Sequence, residues 1–194
     1  MKPEVVRDFF NQHAADWDDK CVHDPDRLQC IIDAADLTCG QDVIDVACGT
    51  GVLFPLLLSY DPARLLGVDI SEEMVKIASD KFEDERLCIR SQDFLMLEES
   101  GFDRLVLHNA YPHFFDKKAL ARKMGDVLKK SGRFVVAHSH SRAEVNLRHQ
   151  KQGALQYSTQ LAPADVERKW FEPWFKIDKI IDTDVLYIIS GIKE

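Results

Sequence analysis

The stretch VIDVACGTGVL, from Val43 to Leu53, decides how the rest of the chain is read. Its first residues continue from Asp42 as a short apolar run of the kind that forms a buried parallel strand, Asp42 to Ala47. Gly49 and Gly51 then let the backbone turn tightly and approach a ligand with no Cβ in the way. Eighteen residues after Gly51, Asp69 ends a second apolar run in LLGVDIS, where a carboxylate can accept both hydroxyls of a ribose. A lone Gly-x-Gly would mark only a loop, and Asp69 alone only a helix cap. The order strand, glycine loop, helix, strand, acid instead defines an adenosine-binding crevice.

Outward from this unit the same alternation continues. Further strands are predicted at Leu87 to Ser91, Phe102 to His108, Gly132 to His138, Phe175 to Asp182 and Val185 to Gly191. The last two are separated only by a short turn at Asp182-Thr183-Asp184, too little for a crossover helix, so they must pair antiparallel. Helices fall between the strands. Ser71 caps one that carries Met74, Ile77 and Ala78 on one face. Asp116 caps another, through Leu120, Met124 and Leu128 to Lys130. Ser141 and Glu144 form a capping box for a helix from Arg142 to about Gln156, and Asp24-Pro25 opens one with Leu28, Ile31, Ile32 and Ala35 on a single face. The expected fold is α/β, a seven-stranded mostly parallel sheet with one antiparallel strand near the C-terminus and helices on both faces. One domain is expected over residues 1–194, with a helical lead-in at 1–40 and the α/β core at 41–194.

Composition narrows the function. A length of 194 residues with 45% hydrophobic and 30% charged residues suits one soluble domain. The longest apolar runs are too short to span a bilayer, and the charged N-terminus does not resemble a secretion signal, so a cytoplasmic protein with no membrane partner is expected. The five cysteines form no C-x-x-C pair and read as reduced thiols. A net charge of -8 disfavours nucleic acid, whose affinity comes from lysine and arginine on phosphates. A small-molecule substrate is the expected partner.

The glycine loop also selects the ligand. A dinucleotide site wants Gly-x-Gly-x-x-Gly, whereas the third glycine position here is Phe54 and Asp45 stands at the entry. An acid there suits a cation better than a diphosphate. DVACGTG resembles the glycine-rich motif of the class I S-adenosylmethionine-dependent methyltransferases, whose acid lies near the amino-acid end of the cofactor, and Asp45 matches it. Asp93-Phe94 resembles that superfamily's adenine motif. FDRLVLHNAYPHF, Phe102 to Phe114, resembles its fourth strand and following loop, and LKKSGRFVVAH, Leu128 to His138, its fifth strand, with Ser131 and Arg133 in place of a usual proline and glycine. FFNQHAADW, Phe9 to Trp17, is similar to the lead-in of the ubiquinone- and menaquinone-biosynthesis methyltransferases, which closes over the cofactor. The resemblance implies S-adenosylmethionine as cofactor, held by Trp17, Asp45, Ala47, Cys48, Gly49, Gly51, Asp69, Ile70, Met74, Asp93, Phe94 and His108.

The acceptor side has no diagnostic motif, but histidines gather at the strand ends: His108, His113, His138 and His140, with His149 on the next helix. Methyl transfer needs alignment and, for a protonated acceptor, a base. His113 and His138 are the catalytic candidates, and Asn109, Tyr111, His140 and Arg142 the substrate-binding ones. His138 and His140 fall on one side of an extended segment, yet two imidazoles define no complete metal site, and no metal is assigned. The late aromatic group Trp170, Phe171, Trp174 and Phe175 reads as an anchor for the last helix. The rival readings are a noncatalytic adenosine- or metal-binding protein with the same fold and a nicotinamide-dependent oxidoreductase.

Overall fold

A computed structural model describes residues 3–151 and 156–194. Helices α1 (Pro3–His13), α2 (Trp17–Lys20) and α3 (Pro25–Ala35) lead into β1 (Asp42–Val46), α4 (Phe54–Ser59), β2 (Arg64–Asp69), α5 (Glu72–Lys81) and β3 (Leu87–Ser91). Then follow β4 (Phe102–His108), α6 (Lys117–Val127), β5 (Leu128–His138), α7 (Arg142–Lys151), α8 (Ala164–Glu167), β6 (Phe175–Asp182) and β7 (Tyr187–Lys193). The sheet order is β3-β2-β1-β4-β5-β7-β6. β7 is antiparallel to both its neighbours and the first five strands pair in parallel, so the expected single reversed strand is present.

Burial follows the two faces of the pleat. Ile44, Val46, Leu105 and Leu107 pack with α6 residues Leu120 and Met124 on one side. Val43, Leu65 and Val106 pack with Leu28, Ile31 and Ile32 of α3 on the other. Asp24 caps α3, its side chain accepting the N–H groups of Asp26 and Arg27, and Ser71 caps α5 through the N–H of Met74. Phe171 and Phe175 are buried against Phe134, which gives the late aromatic group its anchoring role, although Trp170 stays largely exposed.

Three boundaries differ from expectation. Leu128 to Lys130 begin β5 rather than ending α6, because Leu128 turns extended to pair with Phe102 across an irregularity in the ladder. The ammonium of Lys129 then reaches Asp103 on the adjacent β4 and Asp42 on β1 beyond it. β7 starts at Tyr187 instead of Val185, since the Thr183 hydroxyl accepts the N–H groups of Val185 and Leu186 and keeps both in the turn. α7 is seen to Lys151, and residues 152–155 of the expected helix lie outside the described residues.

Candidate functional site

The loop after β1 is held in an unusual backbone conformation. Ala47, Gly49 and Gly51 all have positive φ, at 55°, 55° and 85°. Ala47 is strained there, since only glycine adopts this region freely, and such strain collects where backbone meets ligand. Asp69 at the end of β2 fixes the loop: Oδ2 accepts the Gly49 N–H at 2.8 Å and Oδ1 accepts the Ser71 N–H at 2.8 Å. The two glycines divide their tasks. A Cβ on Gly49 would meet nothing within 4 Å, so its bare face opens on space, whereas one on Gly51 would lie 2.5 Å from the Phe54 ring and 2.9 Å from Phe82.

A cavity of about 310 Å³ lies over the carboxyl ends of the strands, where open α/β sheets bind ligands. Trp17, Asp45, Ala47, Cys48, Gly49 and Asp69 line it, as do Ile70, Met74, Asp93, Phe94 and His108. Of the acceptor-side candidates, Asn109, His113 and His140 also line it. Asn109, at φ 55°, clamps the ends of β4 and β5: its amide donates to the Ser139 hydroxyl and its carbonyl accepts the Ser139 N–H.

Four expected site residues lie elsewhere. Gly51 packs under Phe54 and Phe82 and does not face the cavity. Tyr111 is fully buried, its hydroxyl donating to Glu167 at 2.7 Å and its ring lying 3.7 Å below the Lys117 ammonium. Arg142 donates to Asp182 at 3.2 Å. His138, inside β5, is buried edge-on to Tyr187 rather than open to the cavity. Tyr111, Arg142 and His138 are each diverted by a partner distant in sequence.

The electrostatics are those of a buried, acidic floor. Asp45 is almost completely buried, its Oδ2 has no hydrogen-bond partner, and burial together with the nearby Asp69 pushes its carboxyl well above the usual range. Burial raises Asp69 to about 6, opposed by the N–H groups of Ser71, Gly49 and Ile70. His108, His113 and His138 are held neutral. Burial lowers His108 to about 3 and His113 to about 4, and takes His138 well below its ordinary value. His113 Nδ1 lies 2.9 Å from the Tyr157 carbonyl, which fixes Nδ1 as the protonated nitrogen.

The cavity also takes in Phe10, Cys21, His23 and Arg148, which the sequence reading did not select. His23 belongs to the irregular segment between α2 and α3, where no periodicity signals a site. A hydrogen bond from Thr50 Oγ1 to Asp18 Oδ1 and the 2.7 Å ion pair of Lys81 with Asp18 latch α2 onto the glycine loop and α5. Among the described residues, no group of three His, Cys, Asp or Glu side chains could hold a metal ion. The cysteines are free, and no helix among those residues is long and apolar enough to cross a membrane.

The sequence profile of a methyltransferase domain family matches residues 37–188. The chain belongs to that family. No curated protein sequence matches it. Among solved structures, the Haloferax volcanii methyltransferase in complex with the Trm112 methyltransferase activator has a TM-score of 0.79 at 17% identity, covering 95% of this chain and 97% of that one. Magnesium protoporphyrin IX methyltransferase from Synechocystis PCC 6803, with bound SAH, has a TM-score of 0.74 at 21% identity, covering 99% of each chain. Geranyl diphosphate C-methyltransferase from Streptomyces coelicolor A3(2) gives 0.77 at 12% identity, covering 99% and 97%. Family and fold place the chain in the class I methyltransferase superfamily, whose cofactor is S-adenosylmethionine.

Proposed function

We propose that the chain transfers the methyl group of S-adenosylmethionine to a small molecule. The single observation that carries this reading is the buried carboxyl of Asp45 on the cavity floor, whose Oδ2 has no hydrogen-bond partner. A buried acid left without a partner is costly, and a positively charged ligand removes the cost. A nicotinamide dinucleotide would instead bring a diphosphate toward Asp45 and lack the third glycine, at Phe54.

The residues present fit the cofactor along its length. Asp93 and Phe94 take the adenine, Asp69 the ribose hydroxyls, and the open face of Gly49 allows close approach of the backbone. Trp17, Ile70 and Met74 supply apolar walls, while Asp45 and Cys48 stand beside the amino-acid end. When bound, S-adenosylmethionine supplies a methyl carbon activated by the sulfonium. The protein's part is to exclude water, hold the acceptor in line and accept a proton where the acceptor carries one.

A small-molecule acceptor is supported by the net charge of -8 and by the mostly buried, histidine-lined cavity. Two of the structurally similar enzymes are named for such acceptors, a magnesium porphyrin and a prenyl diphosphate. Calorimetry with S-adenosylmethionine and with NAD tests the reading: binding of the first and not the second is expected, and the reverse overturns it.

A further inference from the structure

The sheet order separates the two ends of the cavity. Asp69 and Asp93 follow β2 and β3 on one side of β1, and His108 and His140 follow β4 and β5 on the other. His23 comes over from the segment between α2 and α3, its ring centroid 5.4 Å from that of His108. No hydrogen bond among the described residues engages either ring, and His23 Nδ1 and His108 Nε2 are buried without a partner. His108 is only 7% exposed, so its unmet capacity sits inside the protein. His140 lines the same end, with Nδ1 3.2 Å from Glu144. Buried polar nitrogens are ordinarily satisfied, and two adjacent imidazoles lining one cavity, each with an unpartnered nitrogen, call for a ligand that completes them.

The charge around the pair limits what that ligand is. His23 is flanked by Asp18, His140 and Arg148, and His140 by Arg148, Glu144 and Arg27. Both acids are already committed, Asp18 to Lys81 and Thr50, and Glu144 to Arg148. An alkylammonium acceptor therefore finds no free carboxylate here, and two arginines oppose it. Neutral imidazoles each offer one N–H and one lone pair, the complement of a group that both donates and accepts. Burial keeps all three rings neutral.

We propose that His23 and His108, with His140 beside them, form an acceptor subsite for a hydroxyl group, so that the enzyme is an O-methyltransferase. This rests on the methyltransferase reading above. His108 orients the hydroxyl and His23 takes its proton. The oxygen lone pair forms the new O–CH₃ bond while the methyl–sulfur bond breaks with its electron pair on sulfur. The products are a methyl ether, S-adenosylhomocysteine and an imidazolium at His23, which returns its proton to solvent from a partly exposed position.

The test uses the full chain, S-adenosylmethionine labelled with ¹³C in the methyl group, and small-molecule cell extract, with the labelled product read by carbon NMR. A methoxy carbon is expected. In His23→Phe, turnover should fall about 100-fold, as for loss of a general base, with S-adenosylhomocysteine affinity held within about twofold. His108→Gln should raise KM for the same acceptor, and the His23 variant stands independently if the buried position tolerates no change. Label on nitrogen, sulfur or carbon overturns the proposal, as does normal turnover by His23→Phe. No labelled product despite cofactor binding also overturns it, and so does tight Zn²⁺ binding that both variants abolish. Failure of the wild type to bind S-adenosylmethionine is a different result, and it overturns the methyltransferase reading itself.

Discussion

Asp69 Oδ2 accepts the backbone N–H of Gly49 at 2.8 Å, so the acid at the end of one strand sets the shape of the glycine loop at the end of its neighbour. Register places Asp45 beside Gly67 and Val46 beside Val68, and β2 therefore delivers Asp69 to the loop that β1 opens. The ribose acid and the glycine cradle are thereby one unit.

For this reason Asp69→Ala should cost both affinity and stability. Losing hydrogen bonds to a charged group is worth about 1.5–3 kcal/mol, so calorimetry should show S-adenosylmethionine binding tenfold or more weaker. The melting temperature should fall as well, because the Gly49 and Ser71 N–H groups lose their acceptor. Unchanged affinity in a folded variant would remove Asp69 from the ribose role.

Gly49 and Gly51 should separate in a paired test. Gly51→Ala drives a Cβ into Phe54 and Phe82 at positive φ, so overpacking of about 1–3 kcal/mol should lower the melting temperature. Gly49→Ala carries a similar positive-φ strain, but its Cβ meets no protein atom and projects at the cavity floor, so its melting temperature should fall less than that of Gly51→Ala while cofactor affinity falls more. Equal melting temperatures for the two variants would contradict this division.

The latch at Asp18 predicts a third outcome. Asp18→Ala releases α2 from Thr50 and Lys81, both at partly exposed sites, so the stability change should stay within about 1 kcal/mol. The released segment should become more open to limited proteolysis between α1 and α3, and cofactor affinity should drop because Trp17 lines the cavity. Cleavage at the wild-type rate would argue against a latch.

The acid–base behaviour of Asp45 gives a pH dependence with a definite sign. Its carboxyl is raised in the free protein, so the proton it holds stabilises that state fully below the unfolded carboxylate range, and this contribution is lost as pH rises through the raised value. Asp45→Asn should therefore melt higher than the wild type, by a margin that grows across that window. Binding of a cation favours the ionised acid, so wild-type affinity for S-adenosylmethionine should rise with pH over the same window, with proton release visible as buffer-dependent heat. Proton uptake, or a variant that melts lower at every pH, would contradict the assignment.

Much of this architecture was legible in the sequence because its signals are local. The β-branched run at Val43, the two glycines, Asp69 and the caps at Asp24, Ser71 and Asp116 each act within a few residues. The losses come from long-range partners. Leu128 continues the apolar face of α6, yet Phe102 draws it into the sheet. Tyr111 sits in a loop that reads as a substrate wall, and Glu167, far along the chain, takes its hydroxyl into the core. His138 alternates with His140 in sequence, but only His140 opens on the cavity, since β5 has ended by then. His23 had no local signal, and only the packing of the N-terminal segment over β4 brings it to His108.

Whether the cavity receives a positively charged S-adenosyl group over Asp45 is decided by calorimetric titration of wild type and Asp45→Asn with S-adenosylmethionine at neutral pH. Binding by the wild type is expected, with a loss of at least about tenfold in the variant, the scale of one hydrogen-bonded charge, in a protein that melts no lower. Absence of binding by the wild type, or equal affinity for the two proteins, would contradict it.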